Sequence, residues 1–239
     1  EYPGRQLTAL NADPGPTRQI RMIVVPAASL RAPDVTVTVA TLTAISVALS
    51  DYLNTRGQLG AEVTVAFDRQ TGARNNFRNV GVDLHTDERD LRIRALAIAA
   101  SLDERKRRNR HPASHAQGAV TAALPAPMLR AEIARYPLDT APPTMSGNTV
   151  VSSVNRGAAD LRLGGGSVRF TAGFPALSPF MALTHGVHGI GDTVTVSITA
   201  GMRVLPDIDR YEELLRGALA DVARALGGEE FSGASASIP

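Results

Sequence analysis

A chain of 239 residues, 44% hydrophobic and without cysteine, carries enough apolar material for one substantial core and excludes disulfide scaffolds, thiolate nucleophiles and Cys-ligated metal sites. With 25 basic against 23 acidic side chains, a formal net charge of +2, 4% aromatics and no Trp, it has neither a steering field for nucleic acid nor base-stacking platforms. The longest apolar stretches, 95–100 and 120–124, fall short of the roughly 18–20 residues that cross a bilayer. Glu1, Pro3 and Arg5 open the chain without a signal-like apolar run, and a cytoplasmic location fits.

Residues 1–17 hold Pro3, Gly4, Pro14, Gly15 and Pro16 and read as a linker into a domain spanning 18–227. In RQIRMIVV, Ile20, Met22 and Val24 alternate, which predicts a strand ended by Pro26. The stretch TVTVATLTAISVALSDYLNTRG is rich in β-branched residues, yet Val39, Leu42, Ser46, Leu49 and Leu53 recur at three and four residues. That spacing predicts a helix from about Thr38 to Arg56, with Gly57 as C-cap. EVTVAFD (Val63, Val65, Phe67) and FRNVGVDL (Val80, Val82, Leu84) predict two strands joined by a turn over Gly72 to Asn76.

From Asp87 to about Arg108 the helical period returns through Leu91, Ala95, Ile98 and Leu102, with acids first and Arg105 to Arg108 last, both matched to the helix dipole. A helical hairpin region follows over 114–135, interrupted by Pro125 and Pro127. NTVVSSV, SVRFTAGF and DTVTVSITA predict three more strands. Asp207 N-caps a final helix whose apolar face runs Tyr211, Leu214, Leu215, Ala218, Val222, Leu226; Gly227 ends it, and 228–239 reads as a disordered tail. The order βα, ββ, αα, βββ, α predicts an α/β (α+β) two-layer sandwich, a mixed sheet covered by helices on one main face.

Element order and particular residues together, from about Arg18 to Leu226, resemble the C-terminal half of bacterial wax ester synthase/diacylglycerol acyltransferases. That family's second half has a helix of the pattern TVNDVVLAAVAGALRRYL before a short RG turn. Here 36–53 reads TVTVATLTAISVALSDYL, with Arg56 and Gly57 following. The family's Asn-Asp pair falls on Thr38 and Val39. Asn79 matches the family's Gly-Asn strand, and Ser152 to Gly157 (SSVNRG) stands where the family has SNVPGP. The resemblance implies a chloramphenicol-acetyltransferase-like half, with HHxxxDG and its general-base His in a separate N-terminal half as partner. It further implies transfer of a fatty acyl group from acyl-CoA to diacylglycerol or a long-chain alcohol, no metal and no tightly bound cofactor. Asn155 and Gly157 are the positions it suggests for lining the substrate channel, with Asn79 in a structural role.

Within HGVHGIGDT, His188 and Asp192 have the spacing of the second His and the Asp of that motif, though the first His is displaced to His185 and Thr193 replaces the Gly. A His with one ring nitrogen free and the other fixed is what proton abstraction from an alcohol requires, so His188 with Asp192 is a catalytic candidate; the competing reading is a flexible glycine turn with exposed histidines. The run ERKRRNRH (104–111) reads as a solvated helix end, or as a contact for anionic lipid or CoA phosphate at a membrane periphery or lipid body, rather than for nucleic acid. Gly164, Gly165 and Gly166 suit a tight turn between strands. A second function class stays open: a non-catalytic module that binds lipid, acyl chains or a protein.

Overall fold

Strand β1 (Arg18–Pro26) pairs antiparallel along its whole length with a strand near the opposite end of the chain, Thr193–Gly201, in a computed structural model that describes residues 3–66, 77–111, 124–135 and 139–228. Between them lie α1 (Val37–Tyr52), β2 (Gly60–Ala66), β3 (Phe77–Asp83), α2 (Leu91–Asn109), α3 (Ala126–Arg135), β4 (Thr149–Asn155), the two-residue strands β5 (Arg162–Leu163) and β6 (Gly166–Ser167), and β7 (Leu183–Ile190). Thr193–Gly201 is β8, and α4 (Ile208–Leu226) closes the fold. Six strands form one mixed sheet in the order β1-β8-β7-β4-β2-β3; β4 runs parallel to both β7 and β2, and the other neighbours are antiparallel.

Helices α1, α2 and α4 cover one face of this sheet, and side chains from both layers meet in a single core. Leu42, Ile45 and Leu49 of α1 are wholly buried, each contributing about 1.5–3 kcal/mol by leaving water. From α4, Tyr211 stands edge-on to Tyr52 of α1, ring centroids 5.6 Å apart. Asp207 accepts from Arg210 N at 3.0 Å and Gly227 takes the left-handed C-cap at φ 73, so both ends of α4 lie where the sequence predicts them.

Helix α1 starts earlier and stops sooner than its apolar spacing suggests. Thr36 Oγ1 accepts from Val39 N at 3.3 Å and sets the start, whereas Leu53 is the C-cap and Asn54 turns left-handed at φ 47, leaving Gly57 outside. In α2 the cap is Asp90, whose carboxylate accepts from Arg92 N and Ile93 N, so Asp87 and Glu88 precede the helix. The turn at 72–76, Phe67, residues 114–123 of the hairpin region and the tail from 229 lie outside the described residues. Pro127 sits within the first turn of α3, where its missing N–H is tolerated.

Two strand assignments change places. SVRFTAGF is a strand only at Ser167; beyond it the chain runs as an irregular strap over the sheet face that the helices leave bare. Its carbonyls are met by side chains: Ser197 Oγ donates to Gly173 O, and Thr184 Oγ1 donates to Pro175 O at 2.7 Å. The segment expected as a glycine turn, HGVHGI, is the heart of β7, paired on both sides with β4 and β8. Glycine is needed there because a methyl group on Gly186 would overlap the Gly173 carbonyl of the strap.

The segment 3–17, expected as a linker, packs against the domain. Leu10 is fully buried, and Arg5, 4% exposed, bonds Gln58 Oε1 at 2.9 Å and pairs with the Asp83 carboxylate. Asn11 accepts from Asn148 Nδ2 at 2.9 Å and donates to Phe180 O at 3.2 Å.

Candidate functional site

A pocket of about 300 Å³ opens where the carboxyl ends of the parallel strands β4 and β7 meet the first turn of α1. Crevices beyond strand carboxyl ends are where open α/β sheets commonly hold ligands. Its walls combine apolar side chains, Val37, Val187 and Val194, with the hydroxyls of Thr36, Thr38 and Ser153 and the amide of Asn155. Glycines 189 and 191 form its floor on the β7–β8 side. Among the described residues, the only ionisable side chain lining it is Arg31.

Thr38, at the position of the resembling family's Asn-Asp pair, bonds across this pocket to Ser153, with 2.7 Å between the two hydroxyl oxygens. Val39, the other half of that position, faces inward at 3% exposure and contributes no polar group. Asn155 lines the pocket. Gly157 lies outside its lining and acts through Asn155: at φ 81 its N–H reaches Asn155 Oδ1 at 3.0 Å, and its carbonyl accepts from Gly191 N at 2.8 Å. Arg156 N donates to Gly189 O at 2.8 Å, so the end of β4 is stitched to β7.

The two histidines of β7 are three residues apart on a strand and therefore point to opposite faces. His185 is buried on the helix side. Because Thr149 Oγ1 spends its proton on Leu183 O (2.9 Å), it accepts from His185 Nδ1 at 3.0 Å, and Nε2 then accepts from Tyr211 OH at 2.9 Å. Burial pushes His185 down to about 3, against the pull of a hydrogen bond with the Val150 backbone, and it raises the Tyr211 phenol well above its ordinary value. The result is a neutral structural imidazole, the opposite of an exposed loop histidine.

His188 faces the strap, with Gly173 packed on its ring and its Nδ1 buried without a hydrogen-bond partner among the described residues. Burial and then Arg156 lower its pKa. Asp192 is exposed in the β7–β8 turn and takes a 3.2 Å bond from Thr193 Oγ1; no described hydrogen bond or ion pair joins it to His188. The pair thus has the spacing of a catalytic dyad without its geometry. Asn79, on the exposed face of β3, accepts from Thr64 Oγ1 at 3.1 Å and donates to Glu62 Oε2 at 3.5 Å. Burial raises Glu62, opposed by its bonds to Asn79 and Ser146. Gly164 and Gly165 form the turn of the β5–β6 hairpin, Gly164 at φ 59. Arg31 carried no motif, and Val187, Gly189 and Gly191 lie in HGVHGIGDT for a reason other than its histidine spacing; their signal was proximity in the fold, which spacing along the chain does not reveal.

Comparison with known proteins places this geometry. The family model described as WS/DGAT C-terminal domain matches residues 73–222. The solved wax ester synthase/diacylglycerol acyltransferase from Marinobacter aquaeolei VT8 superposes with a TM-score of 0.71 at 23% identity, over 93% of this chain and 53% of that one. The starter condensation domain of rhizomide synthetase, solved with C8-CoA and Leu-SNAC, follows at a TM-score of 0.57 and 13% identity, covering 94% of this chain and 50% of that one. A condensation domain of the enacyloxin polyketide synthase gives 0.53 at 16% identity, covering 96% and 44%. The chain spans about half the length of the wax ester synthase it matches. No curated protein matches it in sequence.

Proposed function

Because the chain belongs to the WS/DGAT C-terminal domain family, we propose that it is the half of an O-acyltransferase that completes the substrate channel, while the catalytic base stands on a separate N-terminal half. The observation that carries this reading is a pocket rich in neutral hydrogen-bonding groups and lined by no carboxylate or imidazole among the described residues, in a chain about half the length of its structural relative. Such a wall orients; it does not abstract a proton. In the reaction, the acceptor hydroxyl of a diacylglycerol or long-chain alcohol attacks the thioester carbonyl of acyl-CoA, its proton passes to a histidine of the other half, and the CoA thiol leaves. Asn155, held by Gly157, and the Thr38–Ser153 pair offer polar contacts to the ester region, and Val37, Val187 and Val194 flank the aliphatic part. Acyl-CoA is the donor, and no resident cofactor enters. The site of action is the periphery of a membrane or lipid body; no described helix is long and apolar enough to cross a membrane.

Acyl-CoA turnover measured on the chain alone, and again with its N-terminal half, tests this. Turnover is expected only in the mixture. Activity of the chain alone that disappears in His188→Ala overturns the half-enzyme reading. Absence of turnover in both favours a second reading, a binding module without chemistry, for which the replacement of the Asn-Asp pair by Thr38 and Val39 is the supporting observation.

A further inference from the structure

Helix α2 is built partly inside out. Its inner side buries a guanidinium, Arg94, together with Ala95, Ile98, Leu102 and Asn109. The arginine is held by Ser46 Oγ at 3.0 Å and by the Glu88 carbonyl, without a carboxylate partner among these bonds, and burial lowers its pKa. Its outer side shows Ile93 at 54% and Leu96 at 42% exposure, with exposed Ala100 one further turn along. Residues 93, 96 and 100 follow the i, i+3, i+7 rule and so make one continuous apolar stripe turned away from the core.

Cations bracket that stripe. Arg89 and Arg92 are exposed at its start, and Arg107 is exposed at its far end on the same side. Acids stand among them: Asp87 is exposed before the helix, Glu88 accepts from Asp90 N, Asp90 caps the helix, Asp103 lies on the stripe's line 3.6 Å from Lys106, and Glu104 lies 2.6 Å from Arg108; residues 87–111 nonetheless carry eight Lys or Arg against five acids. Residues 103–111 still carry five Lys or Arg against two acids. An apolar centre with guanidinium ends on a helix pinned by its other face is the pattern of a surface that lies in a membrane interface, aliphatic groups at the acyl boundary and guanidiniums among anionic headgroups.

We propose that the outer face of α2, Arg92, Ile93, Leu96, Ala100 and Arg107, together with Arg89 just before the helix, docks the protein on anionic lipid bilayers. This deepens the peripheral-membrane part of the function proposed above and rests on it, but not on acyl transfer. The stripe is short, so apolar insertion and charge act together, and binding weakens with salt.

The test is flotation of the whole chain with vesicles of phosphatidylcholine alone and of phosphatidylcholine with one-third phosphatidylserine. The expected result is binding to the anionic vesicles, roughly a hundred-fold weaker in R89Q/R92Q/R107Q and about ten-fold weaker in I93S/L96S. These side chains are all exposed, and unchanged circular dichroism and thermal midpoints establish that each variant is folded. Wild type that floats with neither vesicle overturns the peripheral reading itself. Wild type that binds while both variants bind equally well overturns this face alone. Loss of self-association or of binding to the N-terminal half in I93S/L96S, with vesicle binding intact, makes the stripe a protein contact and also overturns the proposal.

Discussion

Thr38 and Ser153, 115 residues apart in the chain, share a hydrogen bond of 2.7 Å that closes the first turn of α1 onto the end of β4 at the mouth of the pocket. Removing either hydroxyl, in Thr38→Val or Ser153→Ala, is expected to cost about 1 kcal/mol in chemical denaturation. The double variant should lose little more than a single one, a coupling that a double-mutant cycle measures directly. Reinstating the related family's acid here is a different matter. With Val39 facing the core at 3% exposure, Val39→Asp is expected to lose several kcal/mol, seen as a lowered denaturant midpoint.

His185 makes stability fall in acid. Its folded pKa is depressed to about 3 from 6.5, so between those values the unfolded chain binds a proton that the folded chain refuses. This contribution is fully present above about pH 6.5 and declines as pH drops toward 3, with a slope on the order of 1 kcal/mol per pH unit. In His185→Phe the profile across that window should flatten. Stability at neutral pH should drop by about 1–3 kcal/mol, because the buried Tyr211 hydroxyl loses its acceptor.

Gly186→Ala is expected to destabilise by about 1–3 kcal/mol, since the strap must lift for the new methyl group to fit. The same shift should weaken the Ser197 bond to Gly173 O and open the covering of His188, giving faster hydrogen exchange at residues 171–174 than in wild type.

Arg5→Ala should cost about 1–3 kcal/mol, discounted from the buried-pair range because Asp83 keeps partial contact with water. Deleting 3–17 should cost more than this, because Leu10 and Asn11 leave with it; thermal melts of both variants check the order.

The sequence revealed most elements whose burial is one-sided. Strands β2 and β3 carry alternating valines, and α4 has both caps and an apolar stripe; β8 alternates in sequence but is buried on both faces. It misled where a position serves two neighbours at once. β7 looked like a turn because Gly186 and Gly189 lower strand propensity, yet Gly186 is small to admit the strap, and His185 is polar because Thr149 and Tyr211 receive it. SVRFTAGF alternates like a strand while the Gly173 carbonyl is met by the Ser197 hydroxyl and, just past the segment, Pro175 O by that of Thr184, partners that local pattern does not register. The 3–17 segment has a linker's composition, but Arg5, Leu10 and Asn11 tie it down. Of the pocket, the family pattern reached Thr38, Ser153 and Asn155; Arg31 and the glycine floor became visible only once β4 and β7 were adjacent.

The partnership of β1 with β8, in register from Arg18 with Gly201 to Pro26 with Thr193, bears on the order in which the molecule assembles. A ribosome releases β1 before its one sheet neighbour among the described strands, so the edge strand must wait for it through the synthesis of nearly everything between them. Closing so long a loop is slow, and it makes completion of the sheet one of the last events rather than a nucleus. A nascent chain stopped before residue 193 is therefore expected to expose the apolar side of β1 to aggregation or chaperone capture, and one extended through 226 to fold as a unit.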